Sequence, residues 1–354
     1  MTTCYTALIR CDASPAIGYG HLMRCLALGE QMQSSGCWKV IFSMAEDASG
    51  IARARSKDFE VEQLDNRAQD HAEIDWLMLL VDRHQVDVMV VDVRNDLGHR
   101  ELNRLRKSGV IVICIDDISE RRLAADLAFY PPVPQVRQLD WTNFDGRWHA
   151  GWEWIMMPAQ FAAVNAMHPS PVNDRLKLLV TMGGSDPAGM TLQAVDALDT
   201  MDDEFDTVIV IGSEFVHSTA LNHKLNHTTR NYRLLINPPS MASVMADMDL
   251  ALASFGATAY ELVCVGIPAV HLCLTADHTQ SASALDDAGV AINLGLFNEA
   301  TPTAIRGAVK QLLDNAPRRR EMREIAHGLI DGRGTERIIT ELNELVEAKH
   351  ETCN

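Results

Sequence analysis

Residues 9–25 read Ile9-Arg-Cys-Asp-Ala-Ser-Pro-Ala-Ile-Gly-Tyr-Gly-His-Leu-Met-Arg-Cys25, and this stretch decides the fold. It begins as an apolar strand, turns at Gly18 and Gly20, and enters a helical pattern at His21. A glycine turn between strand and helix lets a ligand approach the backbone, and it aims free N–H groups and the positive helix end at an anion. A histidine at that junction can exchange a proton near neutral pH. The stretch therefore predicts a strand–turn–helix unit with an anion site and a candidate general base.

Short apolar runs alternate with helical patterns along the rest of the chain. In the first half, strands are expected at 6–9, 39–43, 87–93 and 110–115, and helices at 22–33, 70–84 and 99–107. In the second half, strands are expected at 176–182, 207–211, 233–236, 250–253 and 269–274, and helices at 190–198, 241–247, 258–265, 279–288, 303–315 and 335–348. This alternation predicts parallel sheets covered by helices on both faces.

The length of 354 residues suggests two domains. We expect an N-terminal α/β domain over 1–168, a C-terminal α/β domain over 175–334, and a terminal helix and tail over 335–354. The proline-containing tract 168–174 is the expected linker. Ligands of open α/β sheets lie beyond the carboxyl ends of the strands, so two doubly wound parallel-sheet domains facing a cleft are expected to share a ligand there.

Composition excludes several classes of protein. The formal net charge of −17 argues against nucleic acids and anionic membranes as partners, because both require clustered cations. The eight cysteines include no Cys-x-x-Cys pair, which indicates a reduced, cytoplasmic protein without a disulfide framework or zinc site. The sequence shows neither a secretory signal nor an apolar run long enough to span a bilayer.

Two turns in the second half repeat the strand–turn–helix design. One is Thr181-Met-Gly183-Gly184-Ser-Asp-Pro187, in which the glycine pair allows a tight turn and Asp186-Pro187 can start a helix. The other is Ala253-Ser254-Phe-Gly256-Ala257-Thr258-Ala-Tyr-Glu261. Its hydroxyl and N–H groups suit a diphosphate, and the carboxylate one turn later suits a sugar diol such as a ribose. The chain lacks the Rossmann G-x-G-x-x-G and the P-loop motif, so neither a dinucleotide nor a P-loop enzyme is favoured.

Each of these residues also has a purely structural interpretation. His21 could simply hydrogen-bond the turn, and Glu261 could be a first-turn carboxylate favoured by the helix dipole. Asp12 and Arg24 fit equally well as an ion pair behind the glycine turn or as groups that contact the ligand directly. The sequence by itself leaves both interpretations open for each residue.

In these motifs the chain resembles the hydrolases of pseudaminic acid biosynthesis that act on UDP-2,4-diacetamido-2,4,6-trideoxy-β-L-altropyranose. The shared motifs are Arg10-x-Asp12-Ala-Ser14, Ile17-Gly-x-Gly-His21-x-x-Arg24-Cys25, Met182-Gly-Gly-Ser-Asp186, Ala257-Thr-x-x-Glu261, Gly266-x-Pro268 and Asp331-Gly-x-Gly334. Because that family is similar to GT-B glycosyltransferases, the resemblance implies a GT-B-like fold with UDP held mainly by the C-terminal domain.

The resemblance also implies individual roles. His21 would be the catalytic base that activates water for attack on the anomeric carbon, with UDP as the leaving group. Glu261 would bind the ribose, Met241 would cover the uracil, and Gln280 would contact the sugar. The full set of candidate nucleotide- and substrate-binding residues is Gly18, Gly20, Arg24, Gly183, Gly184, Met241, Ser254, Gly256, Ala257, Thr258, Glu261 and Gln280. No metal and no cofactor is implied; a UDP-sugar substrate and UDP are the expected partners.

The chain departs from the family pattern at two places. The family often has Asp-His-Tyr after the fourth strand, where this chain has Asp92-Val93-Arg94. It also has Asn-Gln where this chain has Thr279-Gln280. The candidate sugar pocket therefore comprises Asp12, Asp92, Arg94 and Thr279.

Three classes of function fit this reading. The first is hydrolysis of a UDP-linked amino-deoxy sugar in nonulosonic acid or surface-glycan biosynthesis. The second is a GT-B glycosyltransferase, which would spare its donor until an acceptor hydroxyl arrives. The third is a nucleotide-sugar binding protein without turnover. The sequence predicts neither the sugar nor the oligomeric state, and it leaves open a pyrimidine other than uracil.

Overall fold

Both parallel sheets expected from the alternation are present in the computed structural model, which describes residues 5–14, 18–45, 48–64, 73–167 and 175–353. The chain divides into two units. The first comprises Met1–Ala159 together with Arg333–Asn354, and the second comprises Gln160–Gly332. The expected linker 168–174 and the first three residues of the predicted helix 70–84 lie outside the described residues.

The first unit contains a seven-stranded sheet in which every neighbouring pair is parallel. Its strands are β1 (Tyr5–Cys11), β2 (Trp38–Met44), β3 (Glu60–Gln63), β4 (Val88–Asp92), β5 (Ile111–Ile115), β6 (Leu127–Tyr130) and β7 (Arg147–Ala150). Its helices are α1 (Gly20–Ser34), α2 (Ala48–Arg55), α3 (Glu73–His84) and α4 (His99–Lys107). The spatial order is β3-β2-β1-β4-β5-β6-β7.

The second unit contains a six-stranded parallel sheet in the order β10-β9-β8-β11-β12-β13. Its strands are β8 (Lys177–Thr181), β9 (Asp206–Ile211), β10 (Tyr232–Ile236), β11 (Leu250–Ser254), β12 (Ala269–Cys273) and β13 (Ala291–Leu296). The helices after β7 are α5 (Ala159–Met167), α6 (Met190–Asp199), α7 (Ser218–His227), α8 (Met241–Ala246), α9 (Ala257–Val265), α10 (Ala276–Asp287), α11 (Pro302–Asp314), α12 (Ala316–Leu329) and α13 (Gly334–Cys353), of which α13 belongs to the first unit.

The central strands read as continuous apolar runs because helices cover both faces of each sheet. In β4 every residue is buried. Val88 and Val90 join one hydrophobic cluster, while Met89 and Val91 join the cluster on the opposite face. Because side chains alternate along a strand, the sheet has one hydrophobic core on each of its two faces.

The last helix, α13, packs in the first unit although it is the final element of the chain. Ile338, Leu342 and Val346 are fully buried in the same cluster as the residues of β1 and β2. The Trp38 indole Nε1 donates a hydrogen bond of 3.0 Å to Asn343 Oδ1. In contrast, α5 packs in the second unit, where Asn165 Nδ2 donates to the Cys264 carbonyl at 2.9 Å.

Each sheet has one point at which the chain reverses its direction of winding. In the first sheet this point lies between β1 and β4, which are neighbours in space but not in sequence. In the second it lies between β8 and β11. Loops at the carboxyl ends of such a strand pair diverge to opposite faces and leave a crevice, which is where open α/β sheets bind ligands. All three glycine turns predicted above follow one of these four strands.

The described chain contains no helix with both the length and the apolar character that a bilayer crossing requires.

Candidate active site

On either side of the turn between β1 and α1 the structure shows the predicted strand and helix, while residues 15–17 of the motif lie outside the described part of the chain. Gly18 has a φ of +81°, a left-handed conformation that favours glycine, and its N–H donates to the Ser14 carbonyl at 2.8 Å. Helix α1 begins at Gly20, with Tyr19 at the N-cap and no side-chain hydrogen bond to the cap. The first N–H groups of the helix are therefore left without the usual capping side chain and can serve a ligand.

His21 lies in the first turn of α1 and contacts the strand across the winding reversal. Its Nδ1 is 2.6 Å from Oδ1 of Asp92, the last residue of β4. The Asp92 side chain is fully buried, whereas that of His21 is 19% exposed. The two residues are 71 positions apart in sequence, and the pairing of β1 with β4 brings them together.

Asp92 is held as an anion by its neighbours. Arg24 Nε donates to Asp92 Oδ2 and Arg24 Nη2 to Asp92 Oδ1, both at 2.6 Å, and Cys25 Sγ donates to Oδ2 at 3.4 Å. Burial alone would raise the pKa of Asp92, but the Arg24 guanidinium and His21 hold it well below its usual range. Asp92 is therefore a buried carboxylate at every pH at which the protein would work.

The ionised state of Asp92 fixes the tautomer of His21. A carboxylate can only accept a hydrogen bond, so the 2.6 Å contact places a proton on His21 Nδ1; Arg24 Nη2, which lies 3.1 Å from the same nitrogen, donates to Asp92 Oδ1 instead. The Nε2 atom of neutral His21 then carries the free lone pair. This is the arrangement in which a buried carboxylate orients an imidazole so that its other nitrogen can accept a proton.

Asp12 and Arg24 do not form an ion pair with each other, so the first of the two alternatives left open for them is wrong. Arg24 pairs with Asp92 and, through Nη1 at 3.2 Å, with Asp116. Asp12 instead pairs with Arg10, and it also accepts the Ala45 N–H at 2.8 Å. Arg10 on β1 is buried, and Asp12 and Glu73 together neutralise this interior cation, whereas Arg24 on α1 contacts the last residue of β4.

Two members of the candidate sugar pocket take different positions at the end of β4. Asp92 does not line open space: it is 1% exposed and bonded to His21 and Arg24, so it holds the histidine in place. Arg94 is exposed, and its Nη2 is 3.5 Å from Asp116 Oδ2.

Asp116 is a site residue that the sequence reasoning missed. It follows β5, accepts from Arg24, and has a φ of +51°, which is uncommon for a residue other than glycine. Such strained residues concentrate at functional sites. The available signal was an Asp-Asp pair directly after a predicted strand, at the edge of the sheet where ligands bind.

The second unit brings its two predicted turns together. Gly183 follows β8 with a φ of +84°, and a Cβ placed on it would be 3.9 Å from Ser254 Oγ at the end of β11. A Cβ on Gly184 or on Gly256 would meet no atom within 4 Å. These two glycines therefore keep open space beside the adjacent strand ends.

Helix α9, which carries Thr258 and Glu261, begins without a side-chain cap, as α6 and α7 also do. Its N-cap is Gly256, without a side-chain hydrogen bond. The four helices of this unit with a side-chain N-cap are α8, α10, α11 and α12, capped by Ser240, Thr275, Thr301 and Asn315. The positive end of α9 is thus left for an anion from outside the protein.

Glu261 is a half-buried carboxyl group one turn into α9. Burial raises its pKa to about 7, although a hydrogen bond with Thr258 acts in the opposite direction. The Glu261 carboxylate can accept hydrogen bonds from hydroxyl groups of a ligand.

Glu261→Gln is expected to stabilise the protein at high pH. A carboxyl pKa raised by folding from 4.5 to about 7 favours the folded state in its protonated form, and this contribution is lost as the pH rises through about 7. The gain for the variant should be small near pH 5 and at most about 3 kcal/mol at pH 8. Urea unfolding at both pH values measures it, with the exposed Glu299→Gln as control. Equal gains at both pH values would contradict the assigned ionisation.

Three further candidates lie on separate elements of the second unit. Met241 is the first residue of α8 and is half-buried. Thr279 lies in the first turns of α10, where its hydroxyl donates to the Thr275 carbonyl at 3.2 Å, and the adjacent Gln280 is exposed. The structure shows where Met241, Thr279 and Gln280 lie on the fold, and their contacts with a ligand stay predictions.

Within the described ranges, one group of side chains has metal-ligand spacing: Glu60, Glu62 and His84. Lys39 lies 3.0 Å from Glu60, and Arg83 lies 3.2 Å from Glu62. These cations already neutralise the carboxylates at the surface, so the group is explained as an ion-pair cluster.

No family model matches the chain. It is 25% identical over 214 residues to the spore coat polysaccharide biosynthesis protein SpsG of Bacillus subtilis, covering 60% of this chain and 62% of that protein. It is 24% identical over 271 residues to the uncharacterized protein MJ1062 of Methanocaldococcus jannaschii, covering 74% of this chain and 54% of that protein. The chain thus spans less than two thirds of the length of these curated relatives.

Solved structures show the same fold at low sequence identity. MurG of Acinetobacter baumannii superimposes with a TM-score of 0.72 at 16% identity, covering 96% of this chain and 99% of that chain. MnaA of S. aureus, solved with UDP, gives 0.67 at 13% identity, covering 97% of both chains. The spinosyn rhamnosyltransferase SpnG with thymidine diphosphate gives 0.64 at 15% identity, covering 95% and 100%. The two doubly wound parallel sheets are those of the GT-B class, as the resemblance implies.

Proposed function

We propose that the protein is a nucleotide-sugar hydrolase that cleaves a UDP-linked amino-deoxy sugar and releases UDP. In this proposal the first unit supplies the general base and the second unit binds the nucleotide. The observation that carries the proposal is the 2.6 Å contact between His21 Nδ1 and the buried Asp92 carboxylate. Because this contact occupies Nδ1, the Nε2 atom of the partly exposed His21 can accept a proton, and it lies at the uncapped N-terminus of α1.

The proposed reaction needs one proton acceptor and a stabilised leaving group. Water attacks the anomeric carbon, its proton passes to His21 Nε2, and the new C–O bond forms on the sugar. The bond from the anomeric carbon to the diphosphate oxygen breaks, and its electron pair leaves with UDP. Backbone N–H groups and a helix end placed around the diphosphate would stabilise its growing charge without reorganisation.

The nucleotide half of the proposal rests on α9 and the strand ends before it. The uncapped N-terminus at Gly256 and Ala257, with the hydroxyls of Ser254 and Thr258, would bind the diphosphate. Glu261 would accept hydrogen bonds from the ribose diol. Met241 and Gln280 are proposed contacts to the base and the sugar, and Gly183 and Gly184 leave room for the ligand. The bound UDP in MnaA and thymidine diphosphate in SpnG support a nucleoside diphosphate as ligand.

The proposed setting is cytoplasmic nonulosonic acid or surface-glycan biosynthesis. The printed name of SpsG, a spore coat polysaccharide biosynthesis protein, supports a role in glycan synthesis. No residue of the proposed mechanism needs a metal ion or an organic cofactor.

The proposal predicts UDP release from a suitable UDP-sugar in the absence of any acceptor. The assay incubates the protein with a panel of UDP-linked neutral, amino and amino-deoxy sugars and measures UDP by a coupled enzyme reaction. A matched control is His227→Asn, which changes an exposed histidine on α7 and should retain full activity. Activity that appears only after addition of a sugar or lipid acceptor would contradict hydrolysis.

A glycosyltransferase is the second candidate, and one observation favours it. SpnG, which shares the fold over 95% of this chain, is named a rhamnosyltransferase. An oriented His21 could take the proton from an acceptor hydroxyl as readily as from water. The acceptor-free assay separates the two candidates, since a transferase should leave its donor intact.

A further inference from the structure

Arg94 stands apart from the other arginines at the carboxyl edge of the first sheet. It follows β4 two residues after Asp92, the partner of His21. Its side chain is 43% exposed, compared with 20% for Arg24 and 1% for Arg10. Arg10 and Arg24 are thus mostly buried in ion pairs, whereas the Arg94 guanidinium is accessible to a ligand.

The ion pair of Arg94 is long and shared. Its Nη2 lies 3.5 Å from Asp116 Oδ2, beyond the usual length of an N–H···O hydrogen bond. The same oxygen accepts from Arg24 Nη1 at 3.2 Å. Asp116 therefore divides its charge between two guanidinium groups, and Arg94 keeps further N–H donors beyond this one long contact.

The backbone around Arg94 is fixed from both sides. The buried Arg121 donates through Nη2 to the Val93 carbonyl at 2.7 Å and through Nη1 to the Leu97 carbonyl at 2.9 Å. Arg121 Nη1 also donates to Asn95 Oδ1 at 2.9 Å. Arg121 is itself held by the buried Asp117. The loop thus presents Arg94 from a rigid base, which lowers the entropic cost of binding.

We propose that Arg94 binds a carboxylate carried by the sugar, so that the UDP-linked amino-deoxy sugar of the proposed function is an acidic one. This inference rests on the proposed function and narrows its substrate class. An exposed guanidinium on a fixed loop matches a planar carboxylate through two parallel hydrogen bonds. A phosphate of the nucleotide is the other anion with this chemistry, but the second unit offers its own diphosphate donors at α9. Arg94 lies instead beside the base that acts on the sugar carbon.

UDP-glucose and UDP-glucuronate form a matched pair of probes, because they differ only in the carboxylate at the sugar. Calorimetry in the His21→Asn protein, which prevents turnover, should show UDP-glucuronate binding more tightly than UDP-glucose by roughly 10- to 100-fold. Arg94→Gln should remove this preference and leave the affinity for UDP unchanged. Arg94→Lys should retain part of it, because it keeps the charge and loses the two-pronged geometry. The control Arg104→Gln changes an exposed arginine on α4 and should have no effect.

Each other outcome overturns the proposal. Equal binding of the two sugars by the parent protein would exclude a carboxylate site at Arg94. A loss in Arg94→Gln that is equal for UDP, UDP-glucose and UDP-glucuronate would assign Arg94 to the diphosphate. Failure of all three ligands to bind would reject the nucleotide part of the proposed function as well. Tight UDP binding without any sugar preference would reject only the role of Arg94.

Discussion

His21→Asn should lower kcat for UDP release by about 10²- to 10⁴-fold and leave the affinity for UDP nearly unchanged. Asparagine keeps a polar side chain that can hydrogen-bond Asp92, but it cannot accept the proton of the attacking water. The first N–H groups of α1 stay in place, so the local backbone needs no rearrangement. The loss should therefore fall on the chemical step.

Single-turnover kinetics and UDP calorimetry on the same preparation separate chemistry from binding. His227→Asn serves again as the control histidine and should match the parent protein in both measurements. Full turnover by His21→Asn would remove His21 from the mechanism. A parallel loss of UDP affinity would show that His21 binds the nucleotide rather than the water.

Asp92→Asn should reduce kcat by roughly 10²-fold through its effect on His21. The amide no longer forces the proton onto His21 Nδ1, so part of the population adopts the tautomer that lacks a lone pair on Nε2. Asp92 does not touch the substrate in this proposal and is a positioning residue. Its role is tested by a double-mutant cycle in which Asp92→Asn is added to His21→Asn. If Asp92 acts only through His21, the second change should cost almost nothing further.

Asp92→Asn also removes a charge from a buried ion pair, so the free energy of unfolding of the variant must be measured alongside its activity. The amide oxygen of the variant can still accept from one Arg24 nitrogen, so Arg24 would keep Asp116 at 3.2 Å and lose one of its two contacts of 2.6 Å together with the opposing charge, which should cost on the order of 3 kcal/mol. The control Asp126→Asn breaks the ion pair with Arg106 elsewhere in the first unit. A similar fall in kcat for Asp126→Asn, or a full further loss in the double variant, would assign the effect of Asp92→Asn to stability alone.

The sequence was sufficient to predict the strands next to both winding reversals. β1, β4, β8 and β11 are long apolar runs followed by glycine or acidic turns, and these patterns depend only on local sequence. In the second sheet the edge strand β13 was not predicted, and in the first sheet the short strands β3, β6 and β7 were not predicted either. β3 and β7 are the two edges of the sheet and carry partly exposed residues, so they lack the apolar signal of a central strand.

The ionic partners in the site could not be predicted in the same way. Nothing local in the sequence indicates whether Arg24 pairs with Asp12 or Asp92, because that choice depends on the register of β1 against β4. Likewise, the sequence places Glu261 on the first turns of a helix, but its raised pKa depends on how deeply that turn is buried. The His21 position follows from its motif, whereas the tautomer follows only from the three-dimensional contact with Asp92.

The central claim is that His21 activates water for attack on the sugar rather than on the diphosphate. The most direct measurement is acceptor-free turnover of a UDP-sugar in ¹⁸O-labelled water, followed by mass spectrometry of both products. The proposed mechanism predicts one ¹⁸O atom at the anomeric position of the released sugar and none in UDP. Label found in UDP, or no product without an added acceptor, would contradict it.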